Sequence, residues 1–296
     1  DEPRPRFGLI RVREFVMKDA YTFDKDLDGL DKSYQGMFNA YHNIFKRLGL
    51  DYVVVKADTG VMGGLLSEEF QAISEIGEDI LVISEDGQFA SNIEVAPTTI
   101  EETESEEALT LELVDTPNAR TIEEVVNFLN QDIKKFVKTL IYKVDNQFVG
   151  LCLRGDHEVN ETKVMKLLNA SEIELAQPHE VQEITNAPVG FAGPINLSIP
   201  VYADHQVSVM SNFIVGANEH DKHIKNVNLK DFQVAEFADI RNIMEGDIVE
   251  GHGPVHFKKG IEVGNTFKLG DKYSKAMDLY YADENNQLQP VVMGSY

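Results

Sequence analysis

The chain has one cysteine, Cys152, so a disulfide framework is excluded. Cys152 lies in the apolar run FVGLCLR, where a thiol reads as a core residue rather than a nucleophile. No apolar run approaches about 18 residues, so no transmembrane helix and no membrane partner are expected. No signal-peptide pattern is read at the start, and a cytoplasmic protein is expected. Positive charge is scarce. Lys and Arg number 27 against 50 Asp and Glu, a net charge of −23 that argues against diffuse nucleic-acid binding. From Ala57 to Ala119 there is no Lys or Arg at all, against 16 acidic residues. That window reads as a solvated face plus a linker.

Basic residues are concentrated at the start instead. Arg4, Arg6, Arg11, Arg13 and Lys18 crowd into 15 residues, with Phe7, Leu9, Ile10, Val12, Phe15, Val16 and Met17 between them. Pro3–Phe23 reads as a two-stranded hairpin with a basic loop. Arginines on such a scaffold suit bidentate contact with phosphate. An edge hairpin with solvated arginines fits the same pattern equally well.

The 296 residues are enough for two domains, each with its own core. Leu27, Leu30, Tyr34, Met37, Tyr41, Ile44, Phe45 and Leu48 recur at helical spacing, which predicts a helix of about five turns ended by Gly49. DYVVVKA, GEDILVIS and QFASNIEVA read as strands. Gly63-Gly64 followed by SEEF reads, by itself, as a turn before a helix. PTTIEETESEEAL, residues 97–109, is polar, acidic and aperiodic, hence a linker. Thr121 with Glu124 is a capping-box pattern that opens a helix. LIYKV and QFVGLCLR form a hairpin turning at Asp145-Asn146, and GDHEVNETKVMKLL gives a loop and a helix. IPVYAD, QVSVMS and FIVGA read as strands.

Asp1-Glu2 and RPRFGLIRVREFVMKDAYTFD closely resemble the second class II signature of bacterial prolyl-tRNA synthetases. ADTGVMGGLLSEEF resembles that family's amino-acid pocket segment, with Leu65 in place of a serine and Glu68 in place of a histidine. The words GED, NIE and KKGIEVGNTFKLGDKYSKAM extend the likeness along the whole chain. The resemblance implies an α+β architecture: a class II antiparallel sheet in residues 1–109 and 251–296, interrupted by an inserted mixed editing domain in 110–250. It implies ATP-dependent ligation of proline to its tRNA. Glu2, Arg11, Arg13 and Phe15 would meet ATP, and Gly63, Gly64, Ser67 and Glu69 would form the proline pocket.

The resemblance also implies hydrolytic editing of mischarged alanyl-tRNA by the insertion. Lys138, the Gly190–Pro194 loop GFAGP, Asp204 and His223 would carry it. On pattern alone Lys138 is a surface lysine and GFAGP a turn. RGDHE, residues 154–158, reads as packing of the insertion. The spacings of His220 with His223 and of His252 with His256 permit a metal. No cysteine accompanies either pair and neither sits in a metal motif, so none is assigned. No Ser-His-Asp or Cys-His arrangement is found, and an activated ester needs no protein nucleophile.

Further implications are ATP with Mg2+ as substrate, no prosthetic group, tRNA and proline as partners, and a homodimeric parent. The family's α-phosphate arginine would precede Asp1, and its third signature would follow Tyr296. The chain by itself is therefore expected not to ligate. A hydrolase-only deacylase and a non-catalytic tRNA- or nucleotide-binding relative are the alternatives.

Overall fold

A computed structural model of the chain describes Pro5, Gly8, Leu9 and residues 12–103 and 106–296. The chain is α+β and divides into two compact units, Asp1–Ala96 with Gly251–Tyr296, and Pro97–Glu250. The first unit opens with β1 (Tyr21–Asp24), α1 (Leu27–Leu48), β2 (Tyr52–Lys56), β3 (Leu66–Ile73), β4 (Asp79–Ser84) and β5 (Ala90–Asn92). The second contains β6 (Glu112–Asp115), α2 (Ile122–Leu129), β7 (Val137–Val144), β8 (Gln147–Arg154), α3 (Glu161–Leu168), β9 (Ile173–Leu175), α4 (Pro178–Thr185), β10 (Val201–Asp204), β11 (Phe213–Gly216), β12 (Lys222–Val227), β13 (Glu236–Ala238) and β14 (Ile248–Val249). The first unit resumes with β15 (Gly253–Gly270), α5 (Lys272–Ala276), β16 (Tyr280–Ala282), β17 (Leu288–Pro290) and β18 (Val292–Ser295).

In the first unit the strand order is β1-β18-β15-β3-β2-β5-β4. The long β15 is its axis, antiparallel to β4 through Val255–Gly260 and to β3 through Gly260–Lys268. Helix α1 lies on one face. Asp26 caps it by accepting from Gly29 N–H at 2.8 Å, and Gly49 ends it at φ 68°. Leu30, Tyr34, Tyr41 and Phe45 are buried against the sheet, with the rings of Tyr41 and Phe45 5.2 and 5.4 Å from Phe70. Each such side chain stabilises the helix–sheet contact by about 1.5–3 kcal/mol.

Three local expectations fail here. No strand forms in residues 12–20; Tyr21–Asp24 pairs instead with β18, so the opening hairpin is not present among the described residues. SEEF is strand β3, not helix, because β2 and β15 pair with it on both sides. QFASNIEVA supplies only the three residues of β5 before turning.

The second unit has a mixed sheet, β13-β10-β8-β7-β9, in which β10 runs parallel to β8 and β13. A three-stranded antiparallel sheet, β11-β12-β6, accompanies it. The β7–β8 hairpin turns at Asp145 (φ 44°) and Asn146 (φ 68°), as a two-residue turn with both residues left-handed requires. Val137, Cys152, Ala203, Val207, Phe213 and Val227 build one core cluster. Leu151, Leu153, Val164 and Ile240 anchor another.

QVSVMS is a 3-10 turn rather than a strand. Asp204 starts it by accepting from Gln206 N–H at 3.0 Å, which curls the backbone away from the sheet. The segment after Pro97 is not a loose linker either. The Gln206 side chain accepts from Glu101 N–H at 2.7 Å and donates to Glu101 C=O at 2.8 Å. Asn212 does likewise for Leu109 N–H and Glu107 C=O. Glu101 and Glu106 pair with Lys134, Arg154 and Lys135. An acidic strap is thereby tied to the second unit.

Candidate functional site

A cavity of about 550 Å³ opens in the second unit. Strand β7 contributes Lys138, Leu140 and Ile141 to its wall, the start of α2 contributes Arg120 and Thr121, and Pro178 and Val181 come from α4. Gly190, Ala192, Gly216 and His223 close one side. Of the residues expected to act in editing, the fold brings Lys138, Gly190 and His223 to this one cavity. Pro194 and Asp204 are buried outside its lining.

His223 stands on β12, paired with Gly216 of β11 and Val114 of β6. It is 5 % exposed, and its Nδ1 lies 2.7 Å from the fully buried Thr116 Oγ1. The Phe191 ring meets it edge-on at 5.7 Å. Burial pushes its pKa down to about 4, so the imidazole is neutral at physiological pH. It offers hydrogen bonds and bulk to a ligand, not charge.

The GFAGP loop approaches its neighbours backbone to backbone. Gly190 has φ 102°, and a Cβ there would sit 2.4 Å from Arg120 O. A Cβ on Gly193 would sit 1.8 Å from Gly216 O. Only glycine permits this approach, which leaves the loop's main chain at the cavity wall. Asn218 binds the same loop, as described below.

Lys138 is the second residue of β7. Its Nζ bonds Glu158 Oε1 at 2.8 Å, and the lysine side chain is 17 % exposed against 73 % for the glutamate. The cation is thus half-sheltered while its partner is solvated. An anionic ligand can replace such a partner at little cost. Asp204 is 1 % exposed and accepts from Gln206 N–H and Ile240 N–H at 3.0 and 3.3 Å. Burial raises its pKa. It braces β10 and the loop after β13.

His220 Nδ1 lies 3.1 Å from Asp221 Oδ2 and its ring packs on Phe191, and His252 Nδ1 lies 3.3 Å from Asp86 Oδ2. No group of three or more His, Cys, Asp or Glu arranged to hold a metal occurs among the described residues. Burial pushes the Cys152 thiol up to about 12, so it is inert as a nucleophile.

In the first unit, strand alternation sorts β3 into two faces. Ser67, Glu69 and Gln71 share the face away from α1, while Glu68 and Phe70 point towards it. Gln71 Nε2 bridges Glu69 and Asp79, at 2.9 Å to each. Burial, with Glu262 and Asp79 nearby, pushes the Glu69 pKa up to about 7. Glu68 accepts from Tyr34 Oη at 2.5 Å. Glu68, one of the two residues that depart from the family pattern, therefore serves helix packing and lies on the opposite face from Glu69. Gly63 (φ 64°) and Gly64 (φ 111°) form the turn before β3, where Leu65 N–H donates to Lys268 C=O at 2.7 Å. Arg13 and Phe15 are exposed in coil, and Glu2 and Arg11 lie outside the described residues.

Residues 116–233 match the aminoacyl-tRNA editing domain family. The whole chain is 52% identical to a proline--tRNA ligase of Caldicellulosiruptor saccharolyticus, of which it covers 52%. It is 49% identical to the proline--tRNA ligase of Bacillus subtilis, covering 53% of it and all of this chain. The chain is a homologue of proline--tRNA ligases. It spans about half the length of the relatives it matches. A solved structure described as a candidate trans-editing enzyme for prolyl tRNA synthetase aligns at TM-score 0.40 and 20% identity, over 45% of this chain and 87% of that one.

Several residues of the site escaped the sequence reading. Thr116, which holds His223, carries no local signal at all. Asn218 carries one: a Gly-Ala-Asn sequence after an apolar strand marks a left-handed turn. Phe191 lies inside the expected loop but reads only as a spacer.

Proposed function

We propose that the second unit hydrolyses alanyl-tRNA of the proline type and spares prolyl-tRNA, and that it does so as the editing module, in residues 110–250, of a proline–tRNA ligase. The observation that carries this is the single cavity shared by Lys138, Gly190 and His223 within the matched editing domain. Alanine is smaller than proline, so a pocket that fits proline discriminates against it by only ~1–3 kcal/mol. A second site that admits the smaller residue supplies the missing accuracy.

The chemistry is ester hydrolysis. Water adds to the ester carbonyl, the bond to the ribose oxygen breaks, and alanine and free tRNA leave. The aminoacyl ester is already activated, and the neighbouring ribose hydroxyl assists the water. The protein supplies position and electrostatics. Lys138 faces the phosphate–ribose end, loop main chain at Gly190 and Ala192 faces the carbonyl, and His223 bounds the amino-acid side chain. Asp204 supports the assembly from behind.

For the parent protein we propose proline activation with ATP and Mg2+ and no prosthetic group, in the cytoplasm and as a homodimer. Support comes from the identity to proline--tRNA ligases and from the likeness of the opening segment to the second class II signature. Glu2, Arg11, Arg13 and Phe15 serve ATP. Gly63, Gly64, Ser67 and Glu69 serve proline. A deacylase without ligation is the second reading, favoured by one observation: every residue lining the cavity belongs to Pro97–Glu250.

The test is deacylation of labelled alanyl- and prolyl-tRNA by the chain and two variants. Lys138→Ala removes a charge-assisted contact and is expected to weaken alanyl-tRNA hydrolysis by ~1–3 kcal/mol. His223→Ala enlarges the pocket and is expected to begin cleaving prolyl-tRNA. Unchanged rates and selectivity in both variants would sink the site assignment.

A further inference from the structure

Asn218 lies in the turn between β11 and β12, five positions before His223. It adopts φ 55°, a left-handed conformation that asparagine tolerates better than most residues. Its side chain turns back onto the GFAGP loop. Oδ1 accepts from Gly193 N–H at 2.7 Å. Nδ2 donates to Gly193 C=O at 3.1 Å and to Ile195 C=O at 3.0 Å. Its own backbone N–H donates to Phe191 C=O at 2.9 Å. One residue thus makes four hydrogen bonds to three residues of a single loop. The partners also fix the amide's orientation, since an N–H faces Oδ1 and two carbonyls face Nδ2.

These bonds hold two walls of the cavity together. Gly190 and Ala192 belong to the loop, and Gly216 and His223 flank the turn that Asn218 occupies. The same walls touch at Gly193 and Gly216, where neither residue has room for a Cβ. Loop main chain and the His223 ring therefore stand at a distance set by a side chain that does not line the cavity. Main-chain groups that meet a developing oxyanion lose most of their effect when displaced by about 1 Å.

We propose that Asn218 is a positioning residue for hydrolysis: it latches the Gly190–Pro194 loop to the His223 turn, and the ester carbonyl is held only while that latch is closed. The proposal rests on the editing reading above.

Two variants of the 296-residue chain test it. Asn218→Gly keeps the left-handed turn and removes the side-chain bonds. Asn218→Asp keeps the acceptor for Gly193 N–H but sets a carboxylate against two carbonyl oxygens. Both are expected to lower kcat for alanyl-tRNA deacylation at pH 7.5 by about tenfold or more, with KM changed far less. Relative to the wild type, the aspartate variant is expected to recover as the pH falls towards 5, because a protonated carboxyl regains one donor. The glycine variant is expected to show no such recovery.

Amide hydrogen exchange supplies a readout independent of activity. Gly193 N–H is expected to be protected in the wild type and to lose protection in Asn218→Gly. Wild-type kcat in both variants overturns the proposal, as does a loss in the aspartate variant that acid leaves untouched. Unchanged Gly193 protection in Asn218→Gly overturns the latch itself. A wild-type chain that spares alanyl-tRNA while Gly193 remains latched overturns the hydrolytic reading, and the catalytic role of Asn218 with it.

Discussion

The two units present their candidate residues in different ways. In the first, Ser67 and Glu69 stand in a row on one face of a strand, beside the buried Gln71, placed by alternation alone. In the second, Lys138, Gly190 and His223 come from three separate stretches of chain and meet around one open cavity. A row on a strand needs only correct register. A cavity needs every wall in place, so its performance depends on residues that never touch the ligand.

Glycine contacts offer the sharpest way to separate the units. A Cβ at Gly193 would lie 1.8 Å from Gly216 O, and one at Gly77 would lie 2.1 Å from Gly260 O. Either substitution to alanine forces backbone apart and is expected to cost about 1–3 kcal/mol or more. Gly193→Ala is expected to abolish deacylation and to loosen the strands of the second unit. Gly77→Ala is expected to leave deacylation intact and to loosen β3, β4 and β15. Hydrogen exchange resolved by segment reads both. Equal loosening of both units by either change would break the comparison.

Acid is the next probe, and the two units should answer it with opposite signs. In the second unit burial holds His223 down to about 4 and, with Arg241 and Arg154 close by, His157 down to about 3. Unfolded histidine titrates near 6.5, so between about 6.5 and 4 the unfolded chain takes protons that the folded unit refuses. That contribution is complete above about 6.5 and is lost on acidification, on the order of 3 kcal/mol per histidine at pH 4. Asp204, raised by burial, moderates the loss.

In the first unit burial raises Glu69 to about 7, and Glu262 moves the same way. A raised carboxyl contributes most below its unfolded value near 4.3 and loses that contribution as the pH rises towards 7. His42, lowered by burial, works against it. From pH 7 to 4.5 the second unit should therefore lose protection against exchange, corrected for intrinsic rates, while the first gains or holds. Parallel losses would remove the distinction.

The smallest effect is expected at Glu158. It is the solvated partner of Lys138, and exposed ion pairs contribute about 0–1 kcal/mol. Glu158→Gln should change alanyl-tRNA deacylation by less than about fivefold, with a milder salt dependence than Lys138→Ala. A loss as large as that of Lys138→Ala would mean that the carboxylate, not the lysine, is the working group.

What could be read in advance followed the range of the forces involved. Helix α1 declared itself through its apolar spacing and Gly49, and the β7–β8 hairpin through Asp145-Asn146. Both are local signals. SEEF was misread because its polarity suits a helix, while the strands that claim it lie partly some 200 residues away in β15. The strap after Pro97 looked aperiodic because its partners, Gln206 and Asn212, are about a hundred residues distant. At the site, Lys138, the GFAGP loop and His223 were legible through family likeness. Thr116 and Asn218 were not, since each acts through a neighbour that only the fold supplies.

The strap has a practical consequence for anyone who wishes to cut the molecule. Removing everything before residue 110 would take away the backbone partners of the Gln206 side chain, which is 1 % exposed, and the Glu101 carboxylate that meets Arg154. Each buried group left unpaired costs about 1–3 kcal/mol. The natural seam for excising this half of the chain is therefore at Pro97, although the stretch that follows it has the composition of a tether.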